Sequence, residues 1–182
     1  RWMQGSKQRV ERVSETEILE GLGDHIKETI EEKPEMLVIW GSGGTLRTLG
    51  DSIGYAISVL GIDATRGTEQ IGTDLDEVGL IETVDSHKKA FGDESEILLL
   101  LSPMGGQGFL IGRGNLQLSP DVLRRIGIDA ILGVVTPAKL ATLNSLRIDT
   151  GDAELDAEFR ERKYLKALQG YRTTRLIRIS AD

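Results

Sequence analysis

Three short, uninterrupted apolar runs constrain this chain more than any other feature: Met36-Leu37-Val38-Ile39-Trp40, Ile97-Leu98-Leu99-Leu100-Leu101, and Ile131 to Val135. Each has the length of a strand and lacks polar alternation, the pattern of strands buried on both faces of a mainly parallel sheet. Such a sheet needs helices on its faces and crossover connections between its strands. Right-handed crossovers would bring the carboxyl ends of successive strands to one edge, where open α/β sheets bind ligands. The expected fold is therefore α/β: a mainly parallel or mixed sheet with short helices, glycine-rich loops at strand ends and a C-terminal β-hairpin.

The intervening segments fit that frame. Ser14-Glu15-Thr16-Glu17 has the form of a capping box, ahead of a helix with Ile18, Leu19, Leu22 and Ile26 at helical spacing that ends near Pro34. Leu46 to Ile53 is helical in spacing and closes at Gly54; Tyr55 to Ile62 then reads as a second buried strand. A weakly patterned helix is expected within residues 75–90. Ser119-Pro120 and Thr136-Pro137 are two helix starts of the same type, with Gly127 stopping the first helix and Ala138 to Leu143 forming the second. Leu146-Arg147-Ile148 reads as a short strand and Ala153 to Phe159 as a helix. Lys163 to Leu168 and Thr173 to Ile179 read as a hairpin turned at Gln169-Gly170-Tyr171. The expected organisation is a helical lead-in over residues 1–35 and an α/β domain over 36–182. The opening Arg1-Trp2-Met3-Gln4 reads as an internal starting point, with the lead-in continuing from an upstream domain.

Composition narrows the function. With 39% apolar and 28% charged residues, and no run near the roughly 20 apolar residues of a membrane span, the expectation is a soluble globular protein. A net charge of -7 argues against general nucleic-acid binding, so any phosphate must be held locally. The absence of cysteine excludes disulfides and thiolate chemistry and makes the cytoplasm the default compartment. His25 and His87 both read as solvated, too few and too far apart for a zinc site.

Three polar loops remain as carriers of chemistry. Gly41-Ser42-Gly43-Gly44-Thr45 can turn backbone N–H groups toward an anion at the start of a helix, with Arg47 in support; the alternative is a tight strand-to-helix turn. The tract from Ser102 to Asn115 has five glycines in fourteen residues, Gly105, Gly106, Gly108, Gly112 and Gly114. Gln107 and Asn115 suit amide or ribose recognition and Arg113 offers a fork for phosphate; the alternative is a β-bulge or a subunit contact. Asp149-Thr150-Gly151-Asp152 sets two carboxylates across a glycine turn. Asp152 also fits a helix N-cap, which leaves Asp149 as the freer candidate for hydroxyl or metal placement.

The stretch Ser102-Pro103-Met104-Gly105-Gly106-Gln107-Gly108-Phe109-Leu110-Ile111-Gly112-Arg113-Gly114-Asn115-Leu116-Gln117-Leu118-Ser119-Pro120, with Thr136-Pro137-Ala138-Lys139-Leu140 and Asp149-Thr150-Gly151-Asp152, resembles the carboxyl-terminal half of the ATP-NAD kinase-like proteins. That group includes archaeal polyphosphate/ATP-dependent NAD kinases and AcoX proteins. The first glycine loop and Gly61-Ile62-Asp63 are also similar, so the resemblance covers roughly residues 36–179.

The resemblance implies transfer of a phosphoryl group from ATP or polyphosphate to the 2′-hydroxyl of NAD, with a divalent metal, Mg²⁺. Loop position and residue type then assign nucleotide contacts to Gly41, Ser42, Gly43, Gly44 and Thr45, to Gly105, Gly106, Gln107 and Gly108, to Arg113, Gly114 and Asn115, and to Thr150, Gly151 and Asp152, with Asp149 as the catalytic candidate. An upstream domain or a homo-oligomer is the implied partner; an AcoX-like or non-catalytic regulatory domain is the alternative function. This chain departs from the pattern in one respect. NAD kinases carry a Gly-Gly-Asp-Gly-Thr motif whose Asp is regarded as catalytic, and Gly43-Gly44-Thr45 echoes it without an Asp.

Overall fold

The computed structural model describes the backbone of residues 2–181 and the side chains of residues 15–181. The order of elements is α1 (Trp2–Glu32), β1 (Leu37–Trp40), α2 (Gly44–Ile53), β2 (Asp63–Arg66), β3 (Glu69–Gly72), α3 (Glu77–Phe91), β4 (Ile97–Leu101) and β5 (Phe109–Ile111). There follow α4 (Pro120–Ile126), β6 (Ile131–Val134), α5 (Pro137–Leu140), β7 (Arg147–Ile148), α6 (Ala153–Arg162), β8 (Tyr164–Gly170) and β9 (Thr173–Arg178).

Seven strands form one sheet in the order β3-β2-β1-β4-β6-β8-β9. β1, β4, β6 and β8 are parallel, flanked at one edge by the antiparallel β2–β3 hairpin and at the other by β9. The expected α/β fold with its C-terminal hairpin is thus present, with the hairpin turn at Tyr171-Arg172, one step beyond its expected position. A parallel strand exposes alternate residues to opposite faces. Leu37, Ile39, Leu99 and Leu101 accordingly pack with Leu80 and Val84 of α3, Val122 and Leu123 of α4, and Leu155 and Phe159 of α6. Val38, Trp40, Leu100, Val134 and Leu168 pack with Leu22, Ile26 and Ile30 of α1 and with Leu46 and Leu49 of α2. Covering both faces is what makes uninterrupted apolar strands stable.

Three expectations are corrected. The helix does not start at Ser14: α1 runs through it from Trp2. Tyr55 to Ile62 is not a strand. Val59 and Leu60 are exposed, and the Ser58 N–H and hydroxyl both donate to the buried Asp63 carboxylate at 2.6 and 2.9 Å, folding the segment into an irregular turn. The strand begins only at Asp63 and runs antiparallel to β1, so the path from β1 reaches its parallel neighbour β4 through α2, the hairpin and α3. His87, finally, is buried rather than solvated.

His87 Nδ1 accepts from Arg66 Nη1 at 3.1 Å and Nε2 donates to the Glu96 carbonyl at 3.1 Å, so the ring is a neutral link between β2, α3 and the start of β4. Burial, the larger cause, and the Arg66 charge hold its pKa below the usual histidine range. The unfolded chain therefore takes up a proton near pH 6.5 that the folded chain refuses. Stability contributed by neutral His87 is complete above that pH and declines as pH falls toward the lower folded value. Urea midpoints are expected to drop between about pH 7.5 and about pH 5.5, and to drop less in His87→Gln.

A second expectation concerns Gly50, where a Cβ would lie 2.3 Å from Ile57 Cγ1. Gly50→Ala is expected to lower stability by about 1–3 kcal/mol through overpacking, measured by thermal or denaturant unfolding.

Candidate functional site

The parallel strands end at one edge of the sheet, and a hollow of about 660 Å³ opens there. Gly44, Thr45 and Thr48 reach it from α2, Ser102 and Pro103 from the end of β4, and Thr136, Lys139 and Thr142 from the segment after β6. Glu15 and Leu19 of α1 close the remaining wall. The residues of the first glycine loop divide by task. Gly41 lies against β4, where a Cβ would meet the Leu100 carbonyl at 2.9 Å. Gly43 has a φ of 125° and its N–H donates to the Val59 carbonyl at 2.8 Å. Gly44 opens α2, whose first turn has no side-chain cap, so backbone donors and the positive end of the helix dipole meet the hollow. Ser42 is half-buried, and Arg47 pairs with Asp51 at 3.7 Å on the exposed side of the helix.

The long glycine tract folds as a hairpin. The Met104 N–H donates to the Phe109 carbonyl at 2.8 Å, which leaves Gly105, Gly106 and Gln107 exposed at the tip. Gly108 and Gly114 are packing positions: a Cβ would come 3.0 Å from the Ser145 carbonyl at the first and 2.5 Å from Met104 Sδ at the second. A Cβ on Gly105 or Gly106 would meet nothing within 4 Å, so their bareness serves no internal packing. β5 pairs in parallel with β7 in a separate two-stranded sheet, with Ile111 opposite Ile148. The Asp149 N–H donates to the Ile111 carbonyl at 2.9 Å, and this pairing fixes the Asp149 turn beside the tract. Together Gln107, Phe109, Arg113, Gly114 and Asp149 line a second hollow of about 480 Å³.

Four candidates have internal work to do. Asn115 is buried, accepting from the Gly112 N–H at 2.9 Å and donating to the Leu110 carbonyl at 3.0 Å, so its amide shapes the tract. Thr150 is buried with its hydroxyl donating to Asp156 at 2.6 Å, and Gly151 has a φ of 81°. Asp152 caps α6 by accepting from the Leu155 N–H at 2.9 Å and pairs with Arg124; these contacts, the cap first, hold its pKa below the usual carboxylate range. Asp149 accepts from the Gly151 N–H at 3.2 Å and presents an exposed carboxylate to the second hollow. A further hollow of about 630 Å³, lined by Tyr55, Arg66 and Phe91 among others, lies beyond the amino end of β1 and contains none of the candidates.

A family model of the ATP-NAD kinase C-terminal domain matches residues 33–179, a span that takes in every strand of both sheets. The chain belongs to that family. No curated protein and no solved structure gives a significant match.

The first loop has no carboxylate, and Asp149 is the carboxylate that lines the second hollow. Among the described residues no three carboxylate or imidazole groups come together in a way that would hold a metal ion. With Asp152 committed to its cap and to Arg124, the turn does not fit a resident Mg²⁺ cage, which takes near-octahedral oxygen ligands. Among the described residues no helix is long and apolar enough to cross a membrane.

Sequence reasoning did not single out Thr48, Ser102, Thr136, Lys139 or Thr142 as site residues, although all line the first hollow. The available signal was position: Ser102 directly follows one apolar run and Thr136 another, with Lys139 three residues further on.

Asn115→Ala is expected to cost about 1–3 kcal/mol by leaving the Gly112 N–H and Leu110 carbonyl without their buried partner. Arg113→Ala, at an exposed position, is expected to stay within about 0.5 kcal/mol of the parent protein. Denaturant unfolding of the two variants side by side measures the contrast.

Proposed function

We propose that this domain is the nucleotide-holding part of a phosphotransferase that moves a phosphoryl group from ATP or polyphosphate to the 2′-hydroxyl of NAD. The observation that carries the reading is a pair of hollows, one at the strand ends lined by the first glycine loop and one lined by the glycine-rich hairpin and the Asp149 turn, linked by the bond from Lys139 Nζ to the Gly105 carbonyl. Their volumes are those of small-molecule sites. In this reading Gly44 and Thr45 lie near phosphate. The open tip at Gly105 and Gly106 admits the ligand's backbone-like edges, Gln107 bonds ribose or amide groups, and Arg113 forks onto phosphate. Gly41, Gly43, Gly108, Gly114, Asn115, Thr150, Gly151 and Asp152 keep these groups in place.

The reaction joins the 2′-oxygen to the terminal phosphorus, breaks that phosphorus's bond to its bridging oxygen, and releases the hydroxyl proton to a base. Asp149 is the carboxylate of this chain offered for that proton. Phosphoryl transfer depends mainly on positioned charge, and the absence of an Asp from Gly41 to Thr45 favours a second reading. In it the domain binds nucleotide and a partner domain supplies the decisive carboxylate, or the domain serves an AcoX-like or regulatory role.

Titration calorimetry with NAD, NADP and ATP tests the proposal. Binding of dinucleotide is expected, weakened roughly tenfold by Arg113→Ala with the melting temperature kept. Failure of all three to bind, in this chain and joined to its partner domain, overturns it. A change in association state in place of affinity assigns the tract to packing.

A further inference from the structure

Resting on the nucleotide reading above, we propose a division of labour between the two hollows. The one at the ends of β1, β4 and β6 seats the phosphate chain of the phosphoryl donor, with Lys139 as its binding cation, and the acceptor's ribose lies in the other.

The two hollows differ in chemistry. The first is lined by the hydroxyl side chains of Thr45, Thr48 and Ser102 and by Lys139, and among the described residues no aromatic side chain lines it. Hydroxyls and an ammonium group suit a run of phosphate oxygens and offer nothing for a base to stack on. The second contains the Phe109 ring, with the Arg147 guanidinium 5.8 Å from its centroid, together with the Gln107 amide and the Asp149 carboxylate. Arg113 lines it too, where it can meet the acceptor's own pyrophosphate, and the Asp149 carboxylate can accept from a ribose hydroxyl.

Lys139 is fixed where the two hollows meet. The Thr136 hydroxyl accepts from the Lys139 N–H at 3.2 Å, and the Thr142 hydroxyl donates to the Lys139 carbonyl at 2.8 Å, securing the backbone on both sides. Its half-buried side chain reaches the glycine hairpin, where Nζ donates to the Gly105 carbonyl at 3.1 Å. An ammonium has three donors, so this bond sets its direction and leaves capacity for phosphate. On a chain with a net charge of -7, such a local cation decides whether a polyanion can enter. Glu15 is the carboxylate on the wall of the same hollow, and it opposes entry.

The test is calorimetric titration of the 182-residue chain with inorganic tripolyphosphate, and separately with NAD, at two salt concentrations. Tripolyphosphate is expected to bind and to weaken with salt. Lys139→Gln should weaken it about tenfold or more, Lys139→Arg should keep most of the affinity, and Glu15→Gln should strengthen binding. NAD affinity should change less than about threefold in Lys139→Gln. Tripolyphosphate binding that is absent, or equal in Lys139→Gln, overturns the division, as does an equal loss of NAD and tripolyphosphate, which would reduce Lys139 to a tie on the hairpin. NAD binding without tripolyphosphate binding sinks this inference and leaves the nucleotide reading standing. Failure of tripolyphosphate, NAD, NADP and ATP to bind, in this chain and joined to its partner domain, sinks the two together.

Discussion

Burial of the parallel strands on both faces is the constraint on which the rest of the molecule depends. Leu37, Val38, Ile39 and Trp40 have essentially no solvent exposure on either side of β1, so the backbone of that strand is satisfied by its neighbours β2 and β4. Helices must cover the two faces, and connections between parallel strands must travel back along them. No charged or hydroxyl side chain lies within β1, β4 or β6, and such groups begin in the loops that follow them. At the carboxyl edge, the loops after β1, β4 and β6 meet because the strands before them are too apolar to lie anywhere but side by side.

The glycine hairpin extends this logic beyond the main sheet. Its polar interior is fastened by Asn115, and the neighbouring turn by Thr150 and Asp152, so that Gln107, Arg113 and Asp149 remain directed outward. The small β5–β7 sheet is the joint between the two, and Lys139 ties the hairpin tip back to the segment after β6. Residues that look alike in the sequence therefore act at different levels. Asn115 and Gln107 carry the same functional group, but one shapes the loop and the other lines the hollow.

The sequence made the buried strands legible because period and composition coincide in them, and it made the helix starts at Ser119-Pro120, Thr136-Pro137 and Asp152 legible because capping is local chemistry. Tyr55 to Ile62 misled for the opposite reason. Its apolar residues match a strand, while the deciding contact is the pull of Ser58 toward the buried Asp63 carboxylate, which no pattern of hydrophobicity records. His87 was hidden likewise, since its burial depends on Arg66 and on the Glu96 carbonyl, partners supplied by other elements. The site was legible as three loops. The sorting of its residues into those that hold a loop and those that line a hollow depends on tertiary hydrogen bonds, and the segments that hold Ser102, Thr136 and Lys139 do not by themselves mark these side chains as lining one hollow.

The loop from Gly41 to Thr45 bears on how binding and proton removal can be arranged. A carboxylate in that loop would stand among the same donors that attract phosphate, and its charge would oppose the donor unless a metal or a neighbouring cation screened it. In the proposed reading Ser42 and Gly43 stand there instead, and Glu15 on the facing wall is the carboxylate that an anion in the hollow would meet. In the proposed reading, the two requirements of phosphoryl transfer are then separated in space: charge neutralisation belongs to the hollow at the strand ends, and acceptance of the hydroxyl proton belongs to Asp149 across the hairpin or to a carboxylate brought by a partner domain. In that reading nucleotide affinity and turnover depend on different side chains.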